Sequence, residues 1–222
     1  MKNVIEWQLN KNVPGVKPAV QQRSRHRRNQ LIDTGIKLLC KKSISQISIA
    51  DLCKDCGFSV GTFYSRFDDK LSFFRAVQEA SVTEMLRRLE YVITDVSKAP
   101  TVPEDVFRKV VNATMDIVTS EIRGVLRESL VNSPKDSLGW EPIRVCGKKM
   151  TEVLLDTLKA DFCDQSPEES KNSIFFGMQM LFGTLVQAIL NDPGPIKLDD
   201  PQMRENLTRM LTVYSKLKPI NS

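Results

Sequence analysis

Two stretches of this chain carry side chains with chemistry to offer. Arg23-Ser24-Arg25-His26-Arg27-Arg28 is the steepest run of positive charge, and Ser59-Val60-Gly61-Thr62-Phe63-Tyr64-Ser65-Arg66 sets hydroxyls and small residues beside a guanidinium. Guanidinium groups grip phosphate oxygens, and hydroxyls donate or accept at phosphates and base edges alike. Such groups hold an anionic, hydrogen-bonding partner without breaking bonds in it. Catalytic chemistry finds little support. His26 is the only histidine and stands among arginines, no G-x-S-x-G or P-loop spacing occurs, and the carboxylates scatter over polar faces, so no enzyme is expected. Cys53 and Cys56 form a C-x-x-C, a spacing that serves redox and zinc sites, yet both fall on the inner face of a short predicted helix. No second C-x-x-C and no histidine pair completes a tetrahedral site, so the two thiols are expected to pack in a core, with neither metal nor cofactor.

The elements that must hold the polar groups are marked by their punctuation. Ser48 is a capping residue with Asp51 three positions on, and Ile49, Ala50, Leu52, Cys53 and Cys56 lay an apolar face at helical spacing. Gly57 suits the left-handed residue that ends a helix, Phe58 can turn back to the core, and Ser59 caps the next segment. That segment is short and turns small, hydrogen-bonding groups outward at its N-terminal end, as a recognition helix does. A supporting helix is predicted from Ser24 to about Lys42, with Leu31, Ile32, Ile36, Leu39 and Cys40 on one face, and a long helix from Asp69 to about Val96. Lys70 opposes the dipole at that helix's N-terminus, so a nearby phosphate accounts for it better than helix stability does. Three helices with a glycine turn between the second and third make a helix-turn-helix, which places a helix in the DNA major groove.

From Gly57 to Phe67, followed by Asp69, Lys70 and Leu71, the segment closely resembles the signature of the tetracycline-repressor (TetR) family, and the resemblance covers roughly residues 24–71. It implies an all-α chain: an N-terminal three-helix helix-turn-helix DNA-binding domain, then a helical C-terminal ligand-binding and dimerisation domain. Residue by residue, it implies that Ser48, Thr62, Tyr64 and Lys70 clamp phosphates and that Val60, Gly61, Ser65 and Arg66 approach base edges, with Ser59 at the cap between them. Arg25, Arg27 and Arg28 supply the basic approach. Val60 and Gly61 offer no side-chain hydrogen bonds, so base readout is expected to fall to Ser65, Arg66, contacts with thymine methyls and the arm before the first helix. The family further implies a transcriptional regulator that sits as a homodimer on a near-palindromic operator in double-stranded DNA. It would be a repressor released by a small-molecule effector bound in the body. Candidate lining residues are Phe107, Met115, Trp140, Phe175, Met178 and Phe182, and the scarcity of buried charge there leans toward an apolar or aromatic effector.

Composition agrees with this organisation. A chain of 222 residues with 41% hydrophobic content, 11 prolines and 10 glycines can build long helices, and alternating β-branched or aromatic patterns are scarce. Residues 1–80 hold 14 Lys and Arg against 7 Asp and Glu, whereas residues 81–222 hold 18 against 20, a basic head on a near-neutral body. The expected division is a flexible arm over 1–22, the DNA-binding domain over 23–70 and the effector and dimerisation domain over 71–222. Within the body, helices are predicted over 103–119, 120–131, 143–163, 167–190 and 201–217, with a loop from 132 to 142. From Ser173 to Leu190 there is no charge and apolar residues cover nearly the whole circumference, so this helix is expected to be buried and, with 201–217, to form half of a dimer interface. Gln179, Gln187 and the lack of a basic flank argue against a membrane span. The first 22 residues have no signal-peptide pattern, so a reducing cytoplasm is expected. Two rival readings share the same head: a helical adaptor that uses it for protein contacts, and a thiol-sensing regulator working through a residue such as Cys146 without a small-molecule ligand.

Overall fold

The computed structural model describes residues 7, 9, 12–96, 102–132, 137–158 and 166–216. Among them it holds α1 (Gln22–Leu39), a 3-10 turn (Ile44–Gln46), α2 (Ile49–Cys56), α3 (Val60–Tyr64), α4 (Lys70–Val96), α5 (Pro103–Val118), α6 (Arg123–Asn132), α7 (Ser137–Thr157), α8 (Pro167–Leu190) and α9 (Pro201–Ser215), with no β-strand. The all-α expectation holds. The chain groups into two compact units, one of residues 1–85 with 121–142 and one of 86–120 with 143–222.

In the first unit the predicted caps do their work. Ser48 Oγ accepts from Asp51 N–H and Ser59 Oγ from Thr62 N–H, while Gly57 closes α2 at φ 69°, where a Cβ would be strained. α1 buries Leu31, Ile32, Ile36 and Leu39. Phe63, Phe67 and Phe73 are fully buried and meet with ring centroids 5.1–5.5 Å apart, so a three-ring cluster fastens the five-residue α3 to the start of α4. Helix α6 joins this unit. Gln78 donates from Nε2 to Ser129 Oγ at 2.9 Å, and the buried Glu128 accepts from the Ile44 N–H at 3.1 Å.

The arm expected to be flexible over residues 1–22 is anchored in its described part. Val16 pairs with Phe67 in an isolated antiparallel bridge, Lys17 N–H donates to Arg66 O at 2.8 Å, and Asp68 N–H to Gly15 O at 2.9 Å. The helical periodicity used to find order is blind to an extended segment held by such distant partners.

The second unit is a helical body. α5 begins at Pro103 with Glu104 and Asp105 in its first turn, and it packs on α9 through a buried apolar face. Arg108 bridges to Glu205 at 3.1 Å, and Arg204 reaches Asp116 at 2.7 Å and the Asn112 carbonyl at 3.1 Å. Two expectations need correction. α7 starts at Ser137, inside the predicted loop, because helical bonding continues past Gly139 and Pro142. α8 is not buried all round: Ile174, Met178, Leu181 and Leu185 are covered, but Phe175, Phe176 and Met180 are 40–47% exposed. One helix cannot bury its full circumference against neighbours on one side. Among the described residues α8 alone is long and apolar enough to cross a membrane by length and composition.

Candidate nucleic-acid interface

The short α3 owes its position to opposite treatment of alternate residues. Phe63 is wholly buried, whereas Val60 is 42% and Tyr64 47% exposed, with Gly61 and Ser65 also at the surface. Tyr64 stands edge-on to Phe63 with centroids 5.4 Å apart, so its ring is braced while about half of the residue stays open to solvent. Ser65 Oγ donates to Thr62 O at 2.7 Å and Arg66 Nη1 to Ser65 O at 2.8 Å, which holds both side chains against the helix end. Ser59, Thr62 and Ser48 keep exposed or half-exposed hydroxyls that already serve the caps.

The arginines crowd together. Burial pulls the Arg28 guanidinium below its ordinary pKa, and the positive charges of Arg25 and Arg66 pull it further. Arg28 Nε and Arg66 Nε are both buried at the atom and have no hydrogen-bond partner among the described residues. Three guanidiniums that repel one another, two with an unspent donor, form an arrangement an anion would relieve. Arg27 lies over the Phe58 ring at 5.9 Å and Arg25 donates from Nε to Ala19 O at 3.1 Å. Lys70 is explained differently from the sequence argument. Its ammonium donates to Ser45 O at 3.2 Å and Ile47 O at 3.1 Å, so two of its three donors tie the 3-10 turn to α4. Lys17 was not among the residues singled out from sequence. Its ammonium meets Tyr64 O at 2.8 Å and Asp68 Oδ1 at 3.2 Å, partners 47 and 51 positions away that no local pattern announces.

Cys53 and Cys56 are buried, and burial pushes both thiols up from their ordinary pKa. Cys56 Sγ contacts Thr34 Oγ1 at 3.2 Å, and Gln30 Nε2 donates to Cys56 O at 3.2 Å, so the C-x-x-C ties α2 to α1. Among the described residues no group of three or more His, Cys, Asp or Glu is placed to hold a metal.

The second unit contains a cavity of about 20 Å³ lined by Leu89, Val92, Val106, Val110, Ala113, Met150, Val153, Leu154 and Thr157. That volume suits a water rather than an organic ligand. The five lining candidates whose side chains are described do not border it: Phe107, Met115 and Met178 are buried in the core, Phe182 is half-buried, and Phe175 is 40% exposed. The side chains of Trp140 and Cys146 lie outside the described residues.

Residues 31–77 match the family model described as bacterial regulatory proteins, tetR family. The chain is 24% identical over 90 residues to the uncharacterized HTH-type transcriptional regulator YerO of Bacillus subtilis, which is 40% of this chain and 30% of that one. It is 27% identical over 110 residues to the HTH-type transcriptional regulator AcrR of Shigella flexneri, 49% of each chain. The chain thus spans half or less of the length of these curated relatives. A protein from Saccharomonospora viridis, solved in complex with choline, shares the fold at a TM-score of 0.66 and 13% identity over 86% of this chain and 97% of its own.

Proposed function

We propose that this chain, a transcriptional regulator of the tetR family, is a cytoplasmic homodimeric repressor that leaves its operator when a small molecule enters the body. The observation that carries the DNA reading is the head: a capped α3 exposing Val60, Gly61, Tyr64 and Ser65, beside the cluster of Arg25, Arg28 and Arg66, of which Arg28 and Arg66 have an Nε without a partner among the described residues. In this reading Arg25, Arg27, Arg28, Ser48, Thr62, Tyr64 and the remaining donor of Lys70 take phosphates, and Val60, Gly61, Ser65 and Arg66 face base edges. Two heads would meet half-sites about one helical turn, roughly 34–36 Å, apart. The exposed apolar strip of α8 and α9, where Phe176 stacks on Tyr214 at 5.5 Å, is the proposed dimer surface.

Effector binding is supported by the choline complex of the similar S. viridis protein and by the apolar lining of the body cavity. The lining favours an apolar ligand, which would have to part α4, α5 and α7 within the second unit to gain the several hundred Å³ it needs. Such a change, passed to the head spacing, would prevent both half-sites from being engaged together.

The test is fluorescence anisotropy with a duplex selected from a random-sequence pool and a scrambled control, at two salt concentrations, with Tyr64→Ala alongside. Specific binding that weakens steeply with salt and falls in Tyr64→Ala is expected. Salt-insensitive binding, or none at low salt, would move the head to the adaptor reading.

A further inference from the structure

The segment before α1 is fastened to the recognition helix more completely than any covalent neighbour requires. α3 has only five residues, too few to hold a helical conformation unaided, and its last carbonyls need partners. Most find them locally: Gly61 O takes Ser65 N–H, Thr62 O takes Ser65 Oγ, Phe63 O takes the Arg66 and Phe67 N–H groups, and Ser65 O takes Arg66 Nη1. The carbonyls of Tyr64 and Arg66 go to Lys17, one to its ammonium and one to its backbone N–H, each at 2.8 Å. A cation at a helix C-terminus also suits the dipole. Gly15 allows the approach: it turns at φ 76°, and a Cβ there would stand 2.6 Å from Ser72 Cβ. Arg25 holds the other end through Ala19 O.

We propose that residues 13–19 are a strap that sets the pose of the recognition helix, with Lys17 as a positioning residue for base readout rather than a phosphate contact. The inference rests on the reading that the head binds DNA. Lys17 shares its ammonium between the Tyr64 carbonyl and Asp68, so two of its three donors are already engaged within the chain. The phosphate contacts of Ser48, Arg28 and Lys70 do not depend on the strap, whereas the base-edge contacts of Val60, Gly61 and Ser65 depend on the orientation of α3.

The experiment compares Lys17→Met, Gly15→Val and the double variant with the wild type, on a duplex selected from a random-sequence pool and on its scrambled control, across a salt series. Gly15→Val breaks the strap without changing charge. Both single variants are expected to lose about tenfold in the ratio of selected to scrambled affinity. Scrambled binding should fall much less than selected binding, the slope of log K against log salt should stay close to the wild type, and the double variant should be no worse than the weaker single one. Circular dichroism confirms that each variant is folded; if Gly15→Val is not, Lys17→Met decides through its slope. Should Lys17→Met weaken both duplexes alike and lower the slope by about one while Gly15→Val stays silent, Lys17 is a phosphate contact and the strap role is wrong. Unchanged discrimination in both variants, against a wild type that discriminates, would overturn the inference alone. A wild type that binds all duplexes equally, or none, would overturn the DNA reading and the inference with it.

Discussion

The carboxylate of Glu128 in α6 accepts a hydrogen bond from the backbone N–H of Ile44 at 3.1 Å, so a helix from late in the chain caps the turn that leads into the helix-turn-helix. The second oxygen of Glu128 takes Asn132 Nδ2 at 2.9 Å, and the far side of the same turn is held by Lys70 through the Ser45 and Ile47 carbonyls. The turn is therefore clamped between α6 and the start of α4. Glu128 is 7% exposed and Ile44 half-buried, so removing the carboxylate leaves a part-buried N–H and the Asn132 amide without their partner. Glu128→Ala should cost about 1–3 kcal/mol of unfolding free energy, and Glu128→Gln, which keeps an acceptor oxygen, clearly less. Urea unfolding of the two variants checks the order; equal losses would mean that packing, not the hydrogen bond, holds α6 there.

The cysteines make a second prediction. Cys53 and Cys56 are buried and their thiols are pushed up, which withholds the reactive thiolate, whereas Cys40 is exposed at the end of α1 with Sγ 3.1 Å from Glu121 O. Brief iodoacetamide treatment followed by peptide mass mapping should label Cys40 and leave Cys53 and Cys56 unmodified until denaturant is added. Prompt labelling of Cys56 in the native chain would reopen a redox role for the C-x-x-C.

Capping signals such as Ser48, Gly57, Ser59 and Ser166-Pro167 act within a few residues, which is why they locate helix ends so well in sequence; α2, α3 and α8 start where those residues say. Contacts between distant positions leave no such trace. Lys17 with Tyr64, Glu128 with Ile44 and Gln78 with Ser129 join residues 47, 84 and 51 apart, so the strap and the attachment of α6 to the head became visible only in three dimensions. Nor does a sequence pattern reveal where a body leaves space. Aromatic and methionine side chains look like ligand walls in a sequence, but Phe107 and Met115 fill the core while small aliphatic residues such as Ala113 and Val110 leave the space.

A third prediction concerns acid. Asp69 precedes α4 and accepts the Ser72 N–H at 2.7 Å while Ser72 Oγ takes the Asp69 N–H at 3.1 Å, and this reciprocal cap holds the Asp69 carboxyl below its ordinary pKa. A depressed folded-state value means the stabilisation is fully present above the unfolded carboxylate range and disappears as pH falls through the folded value. Asp69→Asn keeps a capping oxygen but does not titrate. The stability gap between wild type and Asp69→Asn should therefore be constant from neutral to mildly acidic pH and shift in disfavour of the wild type only at lower pH. A gap independent of pH throughout would show that the carboxylate charge contributes nothing to the cap.

The last prediction tests the exposed strip of the body. Phe176 is 46% exposed on α8 and Tyr214 46% on α9, and their rings lie 5.5 Å apart, which gives two helices one shared apolar edge. Leu211 approaches the position of Gly177 closely enough that a Cβ there would stand 3.0 Å from its Cδ2, so the two helices are tightly packed and present that edge as one rigid surface. A carboxylate placed in its centre has to be desolvated whenever a second copy covers it, and facing its symmetry mate across a two-fold interface doubles the cost. If this edge forms the proposed dimer, Phe176→Glu should sediment as a monomer at concentrations where the wild type self-associates, with helical content unchanged because nearly half of the side chain lies outside the chain's own packing. A monomer has one head and would lose cooperative binding to a two-half-site duplex while keeping weak binding to a single half-site. A Phe176→Glu chain that still sediments as a dimer would place the interface on another face.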